Sequence, residues 1–110
     1  MIKIRYTPEA LALLVQGHAG AGEKGKDLIC CAVSVLTQTL AETGRTLGTV
    51  EAKLEAGNAQ VRLHPAPLCW MEAAQRYQTI IDGLRAVART APEHVQMQAV
   101  HGTYKAEKNE

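Results

Sequence analysis

A histidine and a cysteine stand twelve positions apart in the first third of the sequence, at His18 and Cys30. Together these residue types can perform nucleophilic catalysis, because a thiolate is a strong nucleophile and a nearby imidazole can remove the thiol proton. The same imidazole can then donate a proton to a departing amine. The pair is therefore a candidate for thiol-dependent hydrolysis, although free cysteines more often serve as small buried apolar residues.

A glycine-containing segment, Ala19–Lys26, joins the two residues and is predicted to be a mobile loop. Asp27 is predicted to cap a helix that begins at Leu28, because its carboxylate can accept hydrogen bonds from first-turn amides. Cys30 would then lie in the first turn, where the positive end of the helix dipole favours a thiolate. First-turn amides are also candidate donors to a developing oxyanion.

The periodicity of this helix predicts one buried stripe and leaves its two neighbouring cysteines half exposed. Cys30 shares one flank with Ser34 and Thr37, whereas Cys31 lies on the other flank. Ser34 follows Cys30 by one turn, within reach of a supporting hydrogen bond. Periodicity alone does not choose between the two thiols. The predicted buried stripe consists of Leu28, Ile29, Ala32, Val33, Leu36 and Leu40.

The elements that must position these residues follow from apolar periodicity and from Gly and Pro breaks. The order β-β-α-β-β-α-β predicts an α+β fold, in which a single mostly antiparallel sheet carries two helices on one face. The predicted elements are a strand over Ile2–Tyr6, an inner strand over Leu11–Val15, a helix over Leu28–Thr43, strands over Thr49–Glu55 and Gln60–His64, a helix over Met71–Ala88 and a strand over His94–Ala99.

Length and composition restrict the class of protein. The 110 residues accommodate one domain, predicted over residues 1–101, followed by a polar tail over 102–110. Twelve Lys and Arg against eleven Asp and Glu give no basic excess, so direct nucleic-acid binding is not expected. The first six residues alternate charged and apolar types, unlike the continuous apolar stretch of a signal peptide, and no run approaches membrane-spanning length. Three cysteines fit a reducing compartment. We therefore expect a cytoplasmic protein without a membrane partner.

The stretch from Gly17-His18-Ala19 through the glycine loop to the sequence GKDLICCAVS, residues 25–34, resembles the signature of the ribosomal-processing cysteine proteases, the Prp family. The resemblance includes the spacing between His18 and Cys30 as well as the residue types. The motif covers residues 17–34, and the predicted order of elements is similar to the fold of that family over nearly the whole chain.

The resemblance implies a His-Cys dyad that works without a cofactor, with Cys30 as nucleophile and His18 as general base and acid. Asp27 and Ser34 occupy matching positions and would support the site. Members of the family remove a short N-terminal extension from a large-subunit ribosomal protein, after an aromatic residue, and form homodimers. The loop would order around the extended peptide through Ala19, Gly20, Gly22 and Gly25.

Three other functions remain open at this stage. Gly20–Lys26 fits the phosphate-loop pattern G-x-x-x-x-G-K, although Asp27 stands where that motif requires Ser or Thr. A zinc site could draw on the cysteines and histidines, but their spacings match neither C-x-x-C nor H-x-x-x-H. The third alternative is a noncatalytic module that binds a ribosomal protein without cutting it.

Overall fold

The computed structural model describes residues 1–18 and 24–102, and for residues 24–27 it describes the backbone alone. Its elements follow the predicted order β-β-α-β-β-α-β, which is confirmed. No helix in these ranges is long and apolar enough to cross a membrane. The elements are β1 (Ile2–Thr7), a 3-10 turn (Pro8–Ala10), β2 (Ala12–Gly17), α1 (Lys24–Arg45), β3 (Gly48–Glu55), β4 (Asn58–Pro65), a 3-10 turn (Pro67–Cys69), α2 (Trp70–Thr90) and β5 (Val95–Ala99).

The five strands form one sheet in the order β3-β4-β2-β1-β5. Within the described part of the chain, the pairs β1–β2, β2–β4 and β3–β4 are antiparallel, and β1–β5 is parallel. Such a parallel pair needs a crossover connection, which the chain provides by running through α2 before β5. The prediction of a single mostly antiparallel sheet is therefore confirmed.

Both helices pack on the same face of the sheet, as predicted. The register aligns Ile4 with Val15 and Leu13 with Val61, so that alternate residues of neighbouring strands point to this face. The opposite face carries polar side chains such as Lys3, which lies beside Gln96. The shared core comprises Ile2, Ile4, Leu13, Val15, Val61, Leu63 and Val95 of the sheet, Val33, Leu40 and Ala41 of α1, and Ala73, Tyr77, Ile80, Ile81 and Leu84 of α2.

Helix α1 begins at Lys24, four residues before the predicted start at Leu28. Gly25 and Asp27 lie inside the helix. The predictions that Gly25 belongs to a loop and that Asp27 is the N-cap are therefore wrong. Lysine is a good helix former, and each residue added at this end gives the helix a further backbone hydrogen bond. These gains offset the cost of about 1 kcal/mol for a helical glycine.

The buried stripe of α1 is rotated relative to the prediction. Leu28 is 71% exposed, whereas Thr37 is only 2% exposed. Thr37 tolerates burial because its hydroxyl donates a 2.7 Å hydrogen bond to the carbonyl oxygen of Val33, one turn earlier. The flank of the helix that faces the sheet is therefore the one that also carries Cys30.

Tyr77 is the largest fully buried side chain among the described residues, and its hydroxyl donates a 2.6 Å hydrogen bond to the Ala12 carbonyl oxygen. Burial raises the pKa of Tyr77 above its ordinary value of 10.0. The folded phenol therefore keeps its proton where the unfolded chain loses it. Its contribution to stability is complete below pH 10 and should decline at higher pH by up to about 1.4 kcal/mol per pH unit.

Urea unfolding at pH 8 and pH 11 of the unmodified protein and of Tyr77→Phe tests this expectation. The variant should be about 1 kcal/mol less stable at pH 8, because the buried hydrogen bond is lost. Its stability should then fall less steeply toward pH 11. An equally steep decline in both proteins would contradict the assigned titration of Tyr77.

Candidate active site

A cavity of about 300 Å³ opens between α1 and the end of the sheet where β2 finishes and β3 turns into β4. Three residues that the sequence singled out line it together, namely His18, Cys30 and Ser34. They reach it from two different elements, the end of β2 and the sheet-facing flank of α1. Among the described residues, the remaining wall consists of Ile2, Val15, Gly17, Val33, Thr37, Gln38 and residues 54–59.

His18 follows the last residue of β2, and backbone contacts hold this end of the strand. Gly17 has a φ of 93°, a conformation that favours glycine, and a Cβ at this position would collide with the Met1 carbonyl oxygen. The Met1 nitrogen donates a 2.6 Å hydrogen bond to the His18 carbonyl oxygen. The His18 side chain itself is exposed at the cavity.

The structure separates the two neighbouring cysteines. Cys30 is half-buried, packs against the core and lines the cavity, whereas Cys31 is exposed and is not part of the cavity wall. Successive helical residues point about 100° apart, so one turned toward the sheet leaves the next on another side. Neither residue forms a disulfide, nor does Cys69, the last residue of the 3-10 turn before α2. Of the two candidate thiols, Cys30 shares the cavity with His18.

The position of Cys30 within α1 differs from the prediction. It is the seventh residue of the helix rather than a first-turn residue, because α1 begins at Lys24. The amides without an intrahelical acceptor belong to residues 24–27. The dipole effect is concentrated in the first turn, so its support for a thiolate is weaker than predicted.

Ser34 lies one turn after Cys30 and accepts a 2.8 Å hydrogen bond from Nε2 of Gln38. Because its oxygen acts as acceptor in this contact, its own hydroxyl proton remains available for donation. Both Ser34 and Gln38 line the cavity. The Ser34 hydroxyl, held by Gln38, can therefore donate a hydrogen bond to a negatively charged group in the cavity that Cys30 lines.

The other predicted site residues lie partly outside the described residues. Ala19, Gly20 and Gly22 belong to the stretch 19–23, as does most of the sequence that fits the phosphate loop. Gly25 has helical backbone, and nothing is described of the Asp27 side chain. Their proposed roles as peptide-contacting and supporting residues stay predictions.

The β3–β4 turn contributes a part of the wall that was not predicted from the sequence. Leu54, Gly57 and their neighbours line the cavity, and the Gly57 carbonyl oxygen accepts a 2.9 Å hydrogen bond from the Gly17 nitrogen. The Gly57-Asn58 pair did predict a turn, but no sequence pattern links it to residue 18. Together with Ile2, the Leu54 side chain gives the cavity an apolar wall.

No group of three His, Cys, Asp or Glu side chains that could hold a metal ion occurs within the described ranges. Two of the histidines pair with carboxylates at the surface instead. His64 lies 3.2 Å from Glu51, and Nδ1 of His101 lies 2.8 Å from Oε1 of Glu9. The hydrogen bond with His101 holds the pKa of Glu9 below its usual range.

Comparison with known proteins adds to this geometry. The family model described as cysteine protease Prp matches residues 1–105. The ribosomal processing protease Prp of Staphylococcus aureus, in complex with a substrate peptide, matches with a TM-score of 0.73 and 19% identity, over 91% of this chain and 100% of that chain. Its complex with a covalently linked product peptide gives a TM-score of 0.71 at the same identity and coverage.

A protein of Streptococcus mutans matches with a TM-score of 0.71 and 21% identity, over 92% of this chain and 93% of that one. At these identities the solved structures show a shared fold. No curated protein matches the chain.

Proposed function

The chain belongs to the cysteine protease Prp family, and from this premise we propose that it removes an N-terminal extension from a large-subunit ribosomal protein. The observation that carries the proposal is the cavity that both His18 and Cys30 line. The Prp protease of Staphylococcus aureus is described as a ribosomal processing protease and has the same fold. The proposal is that this chain also processes a ribosomal protein.

The proposed mechanism uses His18 and Cys30 as a dyad. The imidazole takes the thiol proton, and the thiolate attacks the carbonyl carbon of the scissile peptide bond. The amine then leaves with the proton from the imidazolium, and a thioester remains on the sulfur. Water, deprotonated by the imidazole, hydrolyses the thioester, and the proton returns to the thiolate. The Ser34 hydroxyl is suited to support the thiolate from one turn away.

The shape and lining of the cavity support an extended peptide with a large apolar side chain beside the scissile bond. Its wall contains Ile2, Val15 and Leu54, and its volume of about 300 Å³ accommodates such a side chain. An aromatic residue before the cleaved bond would bury most of its ring there. The energetic gain is roughly 25 cal/mol per Å² of apolar surface removed from water.

Two further features complete the proposal. We propose that the protein acts in the cytosol, where newly made ribosomal proteins are available, and that it forms a homodimer as the family resemblance implies. Size-exclusion chromatography with light scattering measures the dimer directly. A monomer at the concentrations of the cleavage assay would remove this part of the proposal without affecting the proposed reaction.

Mass spectrometry of peptides after incubation with the protein tests the function itself. Peptides that carry the N-terminal extension of the large-subunit ribosomal protein should yield two fragments, cut after an aromatic residue. A peptide with alanine in place of that aromatic residue serves as the control. A noncatalytic binding module would retain the extension peptide in a pull-down and leave it intact.

Leu54 provides a test of the apolar wall. Leu54→Asp should raise KM for the aromatic peptide about tenfold, because a carboxylate replaces apolar surface that the substrate contacts. The side chain is 46% exposed, so little loss of stability is expected. Leu68→Asp is the matched control, since Leu68 is fully exposed and lies outside the cavity. Equal KM values for the two variants would exclude Leu54 from the binding surface.

A further inference from the structure

The turn between β3 and β4 lies directly against the His18 imidazole. A Cβ built on Gly57 would stand 2.7 Å from Nε2 of His18 and 3.1 Å from Cε1. Real Cβ atoms do not approach other heavy atoms as closely as the shorter of these distances. The ring therefore occupies the space that any side chain at position 57 would need.

Backbone contacts connect the same turn to the strand end that carries His18. The Gly17 nitrogen donates its hydrogen bond to the Gly57 carbonyl oxygen at 2.9 Å, one residue before the histidine. The carbonyl group of His18 is held in turn by the Met1 nitrogen. Because the backbone on both sides is fixed, a group added at Gly57 would displace the ring rather than the chain.

We infer that Gly57 is a positioning residue, which sets the location of the His18 imidazole relative to Cys30. This inference rests on the proposed dyad and adds to it an element that the family motif, residues 17–34, does not contain. Gly57 has a φ of 76°, so a side chain there would also strain the backbone. Without a side chain at Gly57, the His18 ring can pack against the Cα atom, and the Cys30 thiol lines the same cavity.

Proton transfer between an imidazole and a thiol depends strongly on distance and angle. A displacement of about 1 Å at a reacting group costs on the order of a hundredfold in rate. The ring is the free end of a side chain and can swing aside, so the fold should survive a methyl group at position 57. A side chain at position 57 should therefore lower kcat rather than the stability of the fold.

Gly57→Ala tests the inference in the cleavage assay. The variant should lose about a hundredfold in kcat while KM changes by less than about threefold, because Ile2, Val15 and Leu54, which form the apolar part of the wall, are unchanged. Gly102→Ala is the matched control, since Gly102 has a φ of 101° and no atom lies within 4 Å of its added Cβ. The control carries backbone strain without the contact, and should keep the unmodified kcat.

The reactivity of Cys30 gives a second readout, measured under conditions in which each variant is folded. In a Cys31→Ala background, the rate of Cys30 alkylation by iodoacetamide is measured from pH 5 to pH 10. With Gly57 intact, the profile should respond to His18→Ala. In Gly57→Ala the profile should resemble that of His18→Ala. A profile equal to that of the unmodified protein would overturn the inference.

NMR separates this inference from the proposed function. The His18 ring signals should shift in Gly57→Ala and stay in place in Gly102→Ala, whether or not any peptide is cleaved. Failure of the unmodified protein to cut every extension peptide would count against the proposed function and leave this contact testable. Unshifted His18 signals, or an unchanged kcat in a protein that does cleave, would overturn the positioning role.

Stability measurements cover the case in which Gly57→Ala folds poorly. Urea midpoints of Gly57→Ala are then compared with those of Gly57→Ala combined with His18→Ala. Recovery of the midpoint in the double variant would support a contact between the added methyl group and the ring. Absence of any recovery would show that the glycine serves the turn alone, and would overturn the inference.

Discussion

Cys30→Ala should abolish peptide cleavage to the background of the assay, whereas Cys31→Ala should keep kcat/KM within about threefold of the unmodified protein. The first substitution removes the sulfur that lines the cavity with His18. The second removes an exposed sulfur outside the cavity wall. Steady-state cleavage of the extension peptide, followed by mass spectrometry, measures both variants.

The same pair of variants distinguishes loss of chemistry from loss of binding. Cys30→Ala should still bind the peptide, because the apolar wall and the β3–β4 turn are unchanged. The thioester should be detectable by intact mass in the unmodified protein and in Cys31→Ala, but not in Cys30→Ala. Equal loss of cleavage in the two variants would withdraw the assignment of the nucleophile.

His18→Ala should lower kcat by about 10²- to 10⁴-fold, the usual contribution of a general acid and base. The loss should fall on kcat more than on KM, since the imidazole acts on the thiol and on the leaving amine. Steady-state cleavage assays of both proteins measure kcat and KM.

His101→Ala is the control for this experiment. His101 is exposed and pairs with Glu9, and it does not line the cavity. Its replacement should leave kcat and KM unchanged. If His18→Ala kept the unmodified kcat, another group would have to remove the thiol proton, and the dyad would be abandoned.

Most of the fold could be predicted because its signals are local. Alternation of apolar and polar residues predicts β1, the β3–β4 hairpin and β5, and each lies within two residues of its expected bounds. Apolar residues on both faces of β2 predict an inner strand, and β2 is the central strand of the sheet. The single parallel pair, β1–β5, has no local signal, since it depends on the path of the chain through α2.

The candidate site could be predicted only in part. The types and spacing of His18 and Cys30 suggested the pair, and the family resemblance selected Cys30. Helical periodicity did not separate Cys30 from Cys31. Thr37 explains the error in the buried stripe, because a hydroxyl satisfied by its own helix can be buried like an apolar group.

Residue types and their spacing are sufficient to specify the elements, their order and the two groups that can react, because these follow from periods of two and three to four residues. Contacts between distant parts of the chain determine which flank of α1 faces the sheet and which residue lies against the His18 imidazole. Gly57 is 39 positions from His18, and a turn glycine has the same local signature wherever its hairpin packs. Packing brings the two together, and packing depends on all the elements at once.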